Sequence, residues 1–309
     1  MNLTFFNHYG VGDLIESREF VKDWMKLCGV RTARYAHRPL PGFFADLPGI
    51  ESVAITEAMD MRRALTRTKG TDGTDGTDEL WVNTWIGRDG RYVVNPGIGC
   101  TVEGLYWMHN DLLKEAGLPP LPRTVVEYIP TIDYTRIDLG NLHTWLDAHR
   151  GERLVLVCNG KTGSGQAENF DLVEAIRLTG PQEKTTYLFT EPIPDTPHLT
   201  PDTFFFTDKL TQRDRREVGA YGPCDFNALS YLSRFCDVII GRCSGPQMAA
   251  NVLPNWLDST KTLVSFTHHQ NGSCFVLNPE ALGLRMKRIW SGASTAETAA
   301  KVLEKLLCR

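Results

Sequence analysis

The sequence predicts an α/β protein of two domains, each built on a sheet of parallel strands. Short apolar runs alternate along the chain with stretches in which apolar residues recur at helical spacing, the pattern of successive βα units. Residues 153–158 are apolar almost throughout, as expected for a strand buried on both faces of a parallel sheet. A length of 309 residues fits two compact domains, which we place at residues 1–150 and 151–309.

The first domain begins with a strand, a glycine-containing turn and a helix that Asp13 opens as N-cap and Gly29 ends. Strands are predicted at residues 3–6, 31–35, 51–55, 80–83 and 125–129, and helices at residues 101–116 and 142–149. Residues 69–78 hold three copies of Thr-Asp-Gly, which cannot bury a core and therefore predict an exposed, flexible loop. Calcium binding is the alternative there, although the spacing fits neither an EF-hand nor a nonapeptide β-roll.

The second domain continues the alternation of strands and helices. Strands are predicted at residues 153–158, 185–189, 203–206, 237–241 and 261–266, and helices at residues 170–178, from 225, at 247–252 and at the C-terminal end. The last helix is announced by a capping box that runs from Ser294 to Glu297. Parallel strands need right-handed crossovers, so both halves are expected to be Rossmann-like domains that face a cleft.

Charge and composition exclude several classes of protein. The chain has 33 Lys and Arg against 37 Asp and Glu, a net charge of -4, so nucleic acid is not an expected partner. The first residues lack the basic and apolar regions of a signal peptide, and no apolar run is long enough for a membrane span. The eight cysteines form no C-x-x-C pair, and we interpret them as reduced thiols of a cytoplasmic protein.

Three familiar ligand motifs are absent from the sequence. A P-loop ending at Lys161 would need glycine at position 155, which is Val155, and no G-x-G-x-x-G run occurs. No D-x-D pair is present. His268 and His269 are adjacent, so on a strand they would point to opposite faces. The sequence therefore predicts no metal site.

Glycine-rich turns follow three of the predicted strands. They lie at residues 7–13, 159–165 and 241–246, and each runs into a predicted helix. Open α/β sheets bind ligands at the carboxyl ends of their strands, where backbone amides at a helix start can receive a phosphate or a sugar. Two alternatives stay open: the first turn merely admits a tight bend capped by Asp13, and the second is a flexible surface turn.

The segment 226–250 resembles the donor-site segment of GT-B glycosyltransferases, closest to the heptosyltransferase-like family, glycosyltransferase family 9. There a helix precedes a short apolar strand, a turn with the pattern D-S/T-G and another helix, as in Asp237-Val-Ile-Ile-Gly-Arg-Cys-Ser-Gly245. The turn Gly10-Val-Gly-Asp13 is similar to the opening motif of that family. The resemblance covers both ends of the chain, whereas residues 60–150 match no known pattern. It implies a GT-B-like fold, two Rossmann-like domains around a central cleft.

The resemblance also implies roles for individual residues. Asp13 would be the catalytic base, and His8 on the same turn competes for that role because imidazole titrates near neutral pH. The residues expected to bind the donor are Gly12, Asn159, Lys161, Ser164, Glu191, Arg242, Ser244 and Gly245. Lys161 would neutralise the donor diphosphate and Glu191 would lie near the nucleoside. Cys243 stands where the family often has aspartate, which leaves the donor sugar undefined.

These observations predict a metal-independent, inverting glycosyltransferase that needs no cofactor beyond a nucleotide-sugar co-substrate. Its acceptor would be a glycan or glycolipid of a surface polysaccharide, with peripheral contact to the inner face of a membrane left open. Two alternatives remain: another sugar-nucleotide enzyme, such as an epimerase or hydrolase, and a non-catalytic sugar or nucleotide sensor.

Overall fold

The structure, a computed structural model, divides into two compact units. It describes residues 1–7, 11–37, 42–55, 65–68, 78–84, 102–140, 142–162, 165–191, 193, 225–243, 245–268 and 279–307. Unit 1 spans Met1–Arg136, and unit 2 comprises the described residues from Ile137 onward. The sequence places the boundary later, at residue 150, because no glycine- or serine-rich linker marks the junction. Helix α4 (Leu142–Ala148) lies with unit 2, where the His143 ring packs edge-on against Tyr231.

Unit 1 is a five-stranded, mainly parallel sheet with helices. Its elements are β1 (Asn2–Phe6), α1 (Val11–Glu16), α2 (Arg18–Leu27), β2 (Ala33–His37), β3 (Ile50–Ala54), β4 (Leu65–Thr68), β5 (Glu79–Asn83) and α3 (Val102–Glu115). The strand order in this sheet, sheet 1, is β3-β2-β1-β5-β4, and only β4 runs antiparallel to its neighbour. The strands predicted at residues 3–6, 31–35, 51–55 and 80–83 and the helix predicted at residues 101–116 are confirmed with shifted ends. Strand β4 was not predicted, because four residues of mixed polarity give no clear periodicity.

Two local predictions in unit 1 are wrong. The helix expected to start at Asp13 is two helices that break at Ser17, whose hydroxyl donates to the Leu14 carbonyl, and Asp13 lies within the first turn of α1. The strand expected at residues 125–129 is a 3₁₀ helix, Val125–Tyr128. There the Glu127 carboxylate accepts hydrogen bonds from the backbone and hydroxyl of Thr124, at 2.9 and 2.8 Å. That local bonding favours a helical turn over an extended strand.

A buried charge network ties the segment after α3 to α2. The Arg123 guanidinium donates to Asp23 Oδ2 at 2.7 Å and to Glu19 Oε2 at 2.9 Å, and Tyr128 donates to the same Asp23 oxygen at 2.7 Å. Burial raises the pKa values of Glu19 and Asp23, but ion pairs and hydrogen bonds, including those from Lys22 and Arg123, outweigh it and lower both. The carboxylates are therefore held ionised by their partners.

Loss of the Arg123 guanidinium should make the free energy of unfolding depend less on pH in the acidic range. In Arg123→Met we expect a lower free energy of unfolding at pH 7, by about 3 kcal/mol, because two buried carboxylates lose the guanidinium that they share. Since the folded pKa values are lowered, the stability they contribute is present above the unfolded values near 4 and is lost as pH falls through the folded values. Urea unfolding of wild type and variant should thus converge below about pH 4. Arg136→Met, at an exposed pair with Asp133, is the control; an equal gap at pH 7 and pH 3 would contradict the assignment.

Unit 2 carries a five-stranded sheet, sheet 2, in which every strand is parallel. Its elements after α4 are β6 (Arg153–Val157), α5 (Leu172–Leu178), β7 (Thr185–Phe189), α6 (Asp225–Ser233), β8 (Val238–Gly241), α7 (Gly245–Ala249), α8 (Leu253–Trp256), β9 (Thr262–Phe266), β10 (Lys287–Ser291) and α9 (Ala296–Leu307). The strand order is β10-β9-β8-β6-β7. Side chains of the central strands pack with those of α5 and α9 in one buried core, which includes Val157, Ile240 and Leu303. This confirms the prediction that residues 153–158 form a buried strand of a parallel sheet.

The remaining differences in unit 2 are local. The C-terminal helix is capped by Thr295, one residue after the predicted cap Ser294: α9 begins at Ala296, and the Thr298 amide donates to the Thr295 hydroxyl at 3.3 Å. Asp225 is the first residue of α6 rather than its cap. Strand β10 was not predicted, because Lys287, Arg288 and Trp290 obscure its apolar pattern. The strand predicted at residues 203–206 and the loop at 69–77 lie outside the described residues.

Candidate functional site

Each sheet has one point where the order of the strands reverses. In sheet 2 the strand β6 lies between β7 and β8, so successive connections leave it in opposite directions. In sheet 1 the corresponding pair is β1 and β5. Loops that diverge at such a point leave a crevice at the carboxyl ends of the strands, the usual ligand position in open α/β sheets. Most of the predicted site residues follow these strands.

Arg242 follows β8, and its side chain reaches the loop that follows β6. It is 2% exposed, and its guanidinium donates to the carbonyls of Gly160 at 2.8 Å, of Asn159 at 3.4 Å and of Phe170. Its Cζ lies 5.1 Å from the centre of the Phe170 ring. Burial lowers the pKa of this guanidinium, although nearby carboxylates act in the opposite direction. Arg242 therefore joins the loops that follow β8 and β6, and its contact with a donor phosphate stays a prediction.

Asn159 links the ends of β6 and β7. Its side-chain amide donates to the Glu191 carbonyl at 3.0 Å, and its side-chain oxygen accepts from the Glu191 amide at 2.8 Å. The Glu191 carboxylate lies over Gly160, because a Cβ added to that glycine would be 2.8 Å from Glu191 Oε1. Any side chain at position 160 would therefore displace this carboxylate. Asn159 thus positions Glu191 beside the crevice.

The glycine-rich turn after β6 is held by the chain that follows it. The Thr162 amide donates to Asn169 Oδ1 at 2.8 Å, and the Asn169 side chain donates back to the Thr162 carbonyl at 3.0 Å. Gly165 has φ +69, a conformation that glycine adopts without steric cost. Lys161 lies between these anchors with its side chain exposed. The described part of this turn is thus fixed by specific bonds and presents a cation to solvent.

In unit 1 a buried hydrogen-bond network lies where β1 and β5 end. Asn7 donates to Thr84 Oγ1 at 3.4 Å, and the Tyr35 hydroxyl lies 2.5 Å from Thr84 Oγ1 and 2.8 Å from Ser17 Oγ. Burial raises the pKa of Tyr35 to about 12, so its hydroxyl stays protonated. Sequence reasoning missed Tyr35, Ser17 and Thr84, because isolated hydroxyl residues give no motif. The network holds Ser17, at the junction between α1, which carries Asp13, and α2.

Asp13 is half-buried in the first turn of α1 and lies beside other carboxyl groups. Glu16, one turn later, is 3% exposed, and its Oε2 has no hydrogen-bond partner among the residues that the structure describes. Burial, followed by the charges of Asp13 and Glu103, raises the pKa of Glu16 well above its ordinary value. The first turn of α1 thus places Asp13 one turn before a carboxyl group whose neutral form is favoured by burial.

The structure thus places several of the predicted site residues at the ends of neighbouring strands of sheet 2. Asn159, Lys161, Glu191, Arg242 and Gly245 lie there, while Gly12 is buried in α1 of unit 1. His8, Ser164 and Ser244 lie outside the described residues. Their predicted roles, like the others, remain predictions.

One cavity lies away from these strand ends. Its volume is about 440 Å³, and it is lined at the amino edge of sheet 2 by Glu152, Arg153, Asp237 and Thr260 among others. The polar groups there serve the fold: Arg153 donates to the last carbonyls of α9 at 3.0 and 3.1 Å, and Asp237 accepts from the Leu154 amide at 3.0 Å. We therefore assign no ligand to it.

The described residues also bear on metal binding and on membrane insertion. Across the described ranges, no three His, Cys, Asp or Glu side chains come together in a way that could hold a metal ion. None of the described helices combines the length and the apolar composition that crossing a membrane requires.

The fold of this chain is similar to that of several solved structures. The sequence matches no family model and no curated protein. The structure is similar to the glycosyl transferase family 9 protein from Veillonella parvula, with 10% identity and a TM-score of 0.52 over 99% of this chain and 97% of that chain. It is also similar to E. coli heptosyltransferase WaaC with ADP (11% identity, TM-score 0.46, 99% and 97% covered). A third similar structure is E. coli ADP-heptose LPS heptosyltransferase II, with 13% identity and a TM-score of 0.44 over 100% of this chain and 99% of that chain.

The first of these similarities defines the class: the chain has the α/β fold of the GT-B glycosyltransferases, with two Rossmann-like units. The predicted resemblance to glycosyltransferase family 9 is confirmed at the level of the fold.

Proposed function

We propose that this protein is a glycosyltransferase that binds a nucleotide-sugar donor at the carboxyl edge of sheet 2. The observation that carries the proposal is the set of bonds that fixes three strand ends around the β6–β8 crevice. Asn159 holds Glu191, Arg242 holds Gly160, and Lys161 stays exposed between anchored residues. Such preorganised groups suit an anionic ligand with hydroxyl groups.

The chemistry of sugar transfer matches the groups at this edge. When the bond between the anomeric carbon and the diphosphate breaks, the electron pair stays on the diphosphate oxygen, which needs a nearby positive charge. Lys161 supplies that charge, and the Gly245 backbone amide adds a hydrogen bond. The Glu191 carboxylate accepts hydrogen bonds from donor hydroxyls. These groups make a resident metal unnecessary for the leaving diphosphate.

We assign the acceptor side of the reaction to unit 1. The acceptor hydroxyl attacks the anomeric carbon from the face opposite the diphosphate, which inverts the configuration, and Asp13 takes the hydroxyl proton. Asp13 suits this role because it is half-buried in the first turn of α1, the helix that follows β1. The acceptor would be a glycan or glycolipid of a surface polysaccharide. Peripheral contact of the protein with a membrane that holds such an acceptor is part of the proposal.

The donor site is tested by nucleotide binding. We expect Lys161→Ala to weaken binding of a nucleoside diphosphate by about tenfold to a hundredfold, because a charge-assisted hydrogen bond is lost. Isothermal calorimetry in excess EDTA measures this with the best binder among ADP, GDP, UDP and TDP. Lys301→Ala, an exposed lysine on α9, is the matched control and should bind as wild type does. Equal affinity of wild type and Lys161→Ala would place the donor elsewhere.

Two alternatives to the proposed function give different results when the same protein is assayed with a nucleotide sugar. An epimerase or hydrolase would consume the nucleotide sugar with no acceptor present. A sensor would bind the nucleotide tightly and transfer no sugar to any of a broad panel of acceptors.

A further inference from the structure

The turn between β8 and α7 contains a residue in an unusual backbone conformation. Cys243 has φ +56, in the left-handed region that residues with a Cβ seldom adopt. Such a conformation persists only where surrounding contacts hold it. The turn leads directly into Gly245, the first residue of α7 and one of the predicted donor-binding residues. What holds Cys243 therefore determines where this part of the site lies.

The side chain of Gln247 makes the contacts that hold this turn. Gln247 is 3% exposed, and its Oε1 accepts a hydrogen bond from the Cys243 backbone amide. Its Nε2 donates to the Val264 carbonyl and to Ser265 Oγ on β9, both at 3.0 Å. One carboxamide thus connects the turn after β8 to the neighbouring strand and uses both of its N–H donors.

Gly241 provides the space that this carboxamide occupies. A Cβ added to Gly241 would lie 2.8 Å from Gln247 Cδ and 2.9 Å from Gln247 Oε1. Gly241 is also the last residue of β8 and pairs with Ser265 on β9. A glycine is therefore required at this strand end because a side chain lies against its backbone.

We propose that Gln247 is a positioning residue for the donor site, which holds Cys243 in its left-handed conformation and so fixes the backbone that leads to Gly245. The inference rests on the proposed function, in which this turn contacts the donor. Arg242 fixes the same turn from the β6 side through the Gly160 carbonyl, while Gln247 fixes it from the β9 side. Gln247 itself touches the turn and not the reacting atoms.

Replacement of the carboxamide by an apolar side chain of similar length tests this role. In Gln247→Met we expect the affinity for the nucleoside diphosphate to fall by about tenfold, since the turn samples other conformations. Glycine adopts positive φ without cost, so Cys243→Gly added to Gln247→Met should restore most of the affinity. A purely structural role for Gln247 predicts no such rescue. Calorimetry on folded protein at 25 °C measures all three affinities.

The matched control is another buried carboxamide of the same unit. Asn255 is fully buried and donates to Ser233 Oγ and to the Ala250 carbonyl, both at 2.8 Å. Asn255→Leu should lower the melting temperature yet leave nucleotide affinity unchanged. If Gln247→Met does not fold, Cys243→Val replaces it, because a β-branched residue disfavours positive φ while Gln247 stays intact.

The measurements distinguish failure of the proposed function from failure of the role proposed for Gln247. If wild type binds no nucleoside diphosphate, the proposed function and this inference both fail. Suppose that wild type binds and that Lys161→Ala weakens binding. The inference alone is then overturned if Gln247→Met binds the nucleotide with wild-type affinity. Where Gln247→Met does not fold, wild-type affinity in Cys243→Val overturns it instead. It is also overturned by an equal loss in Asn255→Leu or by the absence of rescue by glycine at position 243.

Discussion

Asp13→Asn is expected to lower the rate of sugar transfer by about 10²–10⁴-fold, the usual contribution of a general base. Asparagine keeps the shape of the side chain but does not take up the acceptor proton. The fold should not suffer, because the substitution removes a negative charge that acts on buried Glu16. The measurement is the initial rate of nucleoside diphosphate release from the nucleotide sugar with acceptor present, together with the melting temperature.

Two further variants make this result specific. Asp147→Asn removes a carboxylate from an exposed pair with Arg150 and should leave the rate unchanged. His8→Ala should cost much less than Asp13→Asn. A normally folded, fully active Asp13→Asn together with an inactive His8→Ala would reverse the assignment of the base. If neither substitution lowered the rate, Asp13 would have only a structural role.

Asp46→Ala should lower the free energy of unfolding by about 3–5 kcal/mol, because it leaves a buried arginine without its counter-charge. The Arg18 and Asp46 side chains form an ion pair with no exposed surface. Arg18 also donates to the Phe43 carbonyl, and its Cζ lies 4.6 Å from the centre of the Phe43 ring. This cluster anchors residues 42–49 to the start of α2. Urea unfolding at pH 7 measures the loss.

A surface pair and a double variant provide the comparison. Asp147→Ala, at a pair whose side chains are 83% and 71% exposed, should change stability by less than about 1 kcal/mol. Arg18→Met with Asp46→Leu should recover much of the loss, since removal of both charges ends the desolvation cost. A loss below about 1 kcal/mol in Asp46→Ala would show that Arg18 is compensated by other groups.

The parts of the fold that the sequence predicted are those with strong periodicity. The apolar run of β6 and the helical pattern of α3 are visible because burial selects apolar residues at regular spacing. The errors fall where a few side chains decide the backbone. Ser17 interrupts a helical pattern by bonding to its own turn, and Glu127 bends a β-branched run into a 3₁₀ helix. Such bonds cannot be inferred from hydrophobic spacing.

The candidate site was predicted at the level of loops rather than of contacts. Glycine-rich turns after apolar strands predicted loops at the carboxyl edge of a parallel sheet, and the turns after β6 and β8 lie at that edge, because strand direction alone fixes where the loops lie. The roles within the loops depend on contacts between residues far apart in sequence. The bond from Arg242 to the Gly160 carbonyl was not predicted, and its contact with a phosphate stays a prediction. Gln247 carried no motif at all. One signal was available for Gln247: a lone amide in an apolar stretch next to a glycine-ended strand.

Hydrogen exchange of the wild-type protein tests the location of the donor site most directly. Exchange is followed by mass spectrometry in excess EDTA, with and without a saturating concentration of the best-binding nucleoside diphosphate. The account predicts slower exchange in residues 158–162, 189–191 and 241–249, with no change at the amino edge of sheet 2 in residues 151–153 and 260–262. Protection confined to the amino edge or to unit 1, or no protection with EDTA present, would contradict a metal-independent donor site at the carboxyl edge of sheet 2.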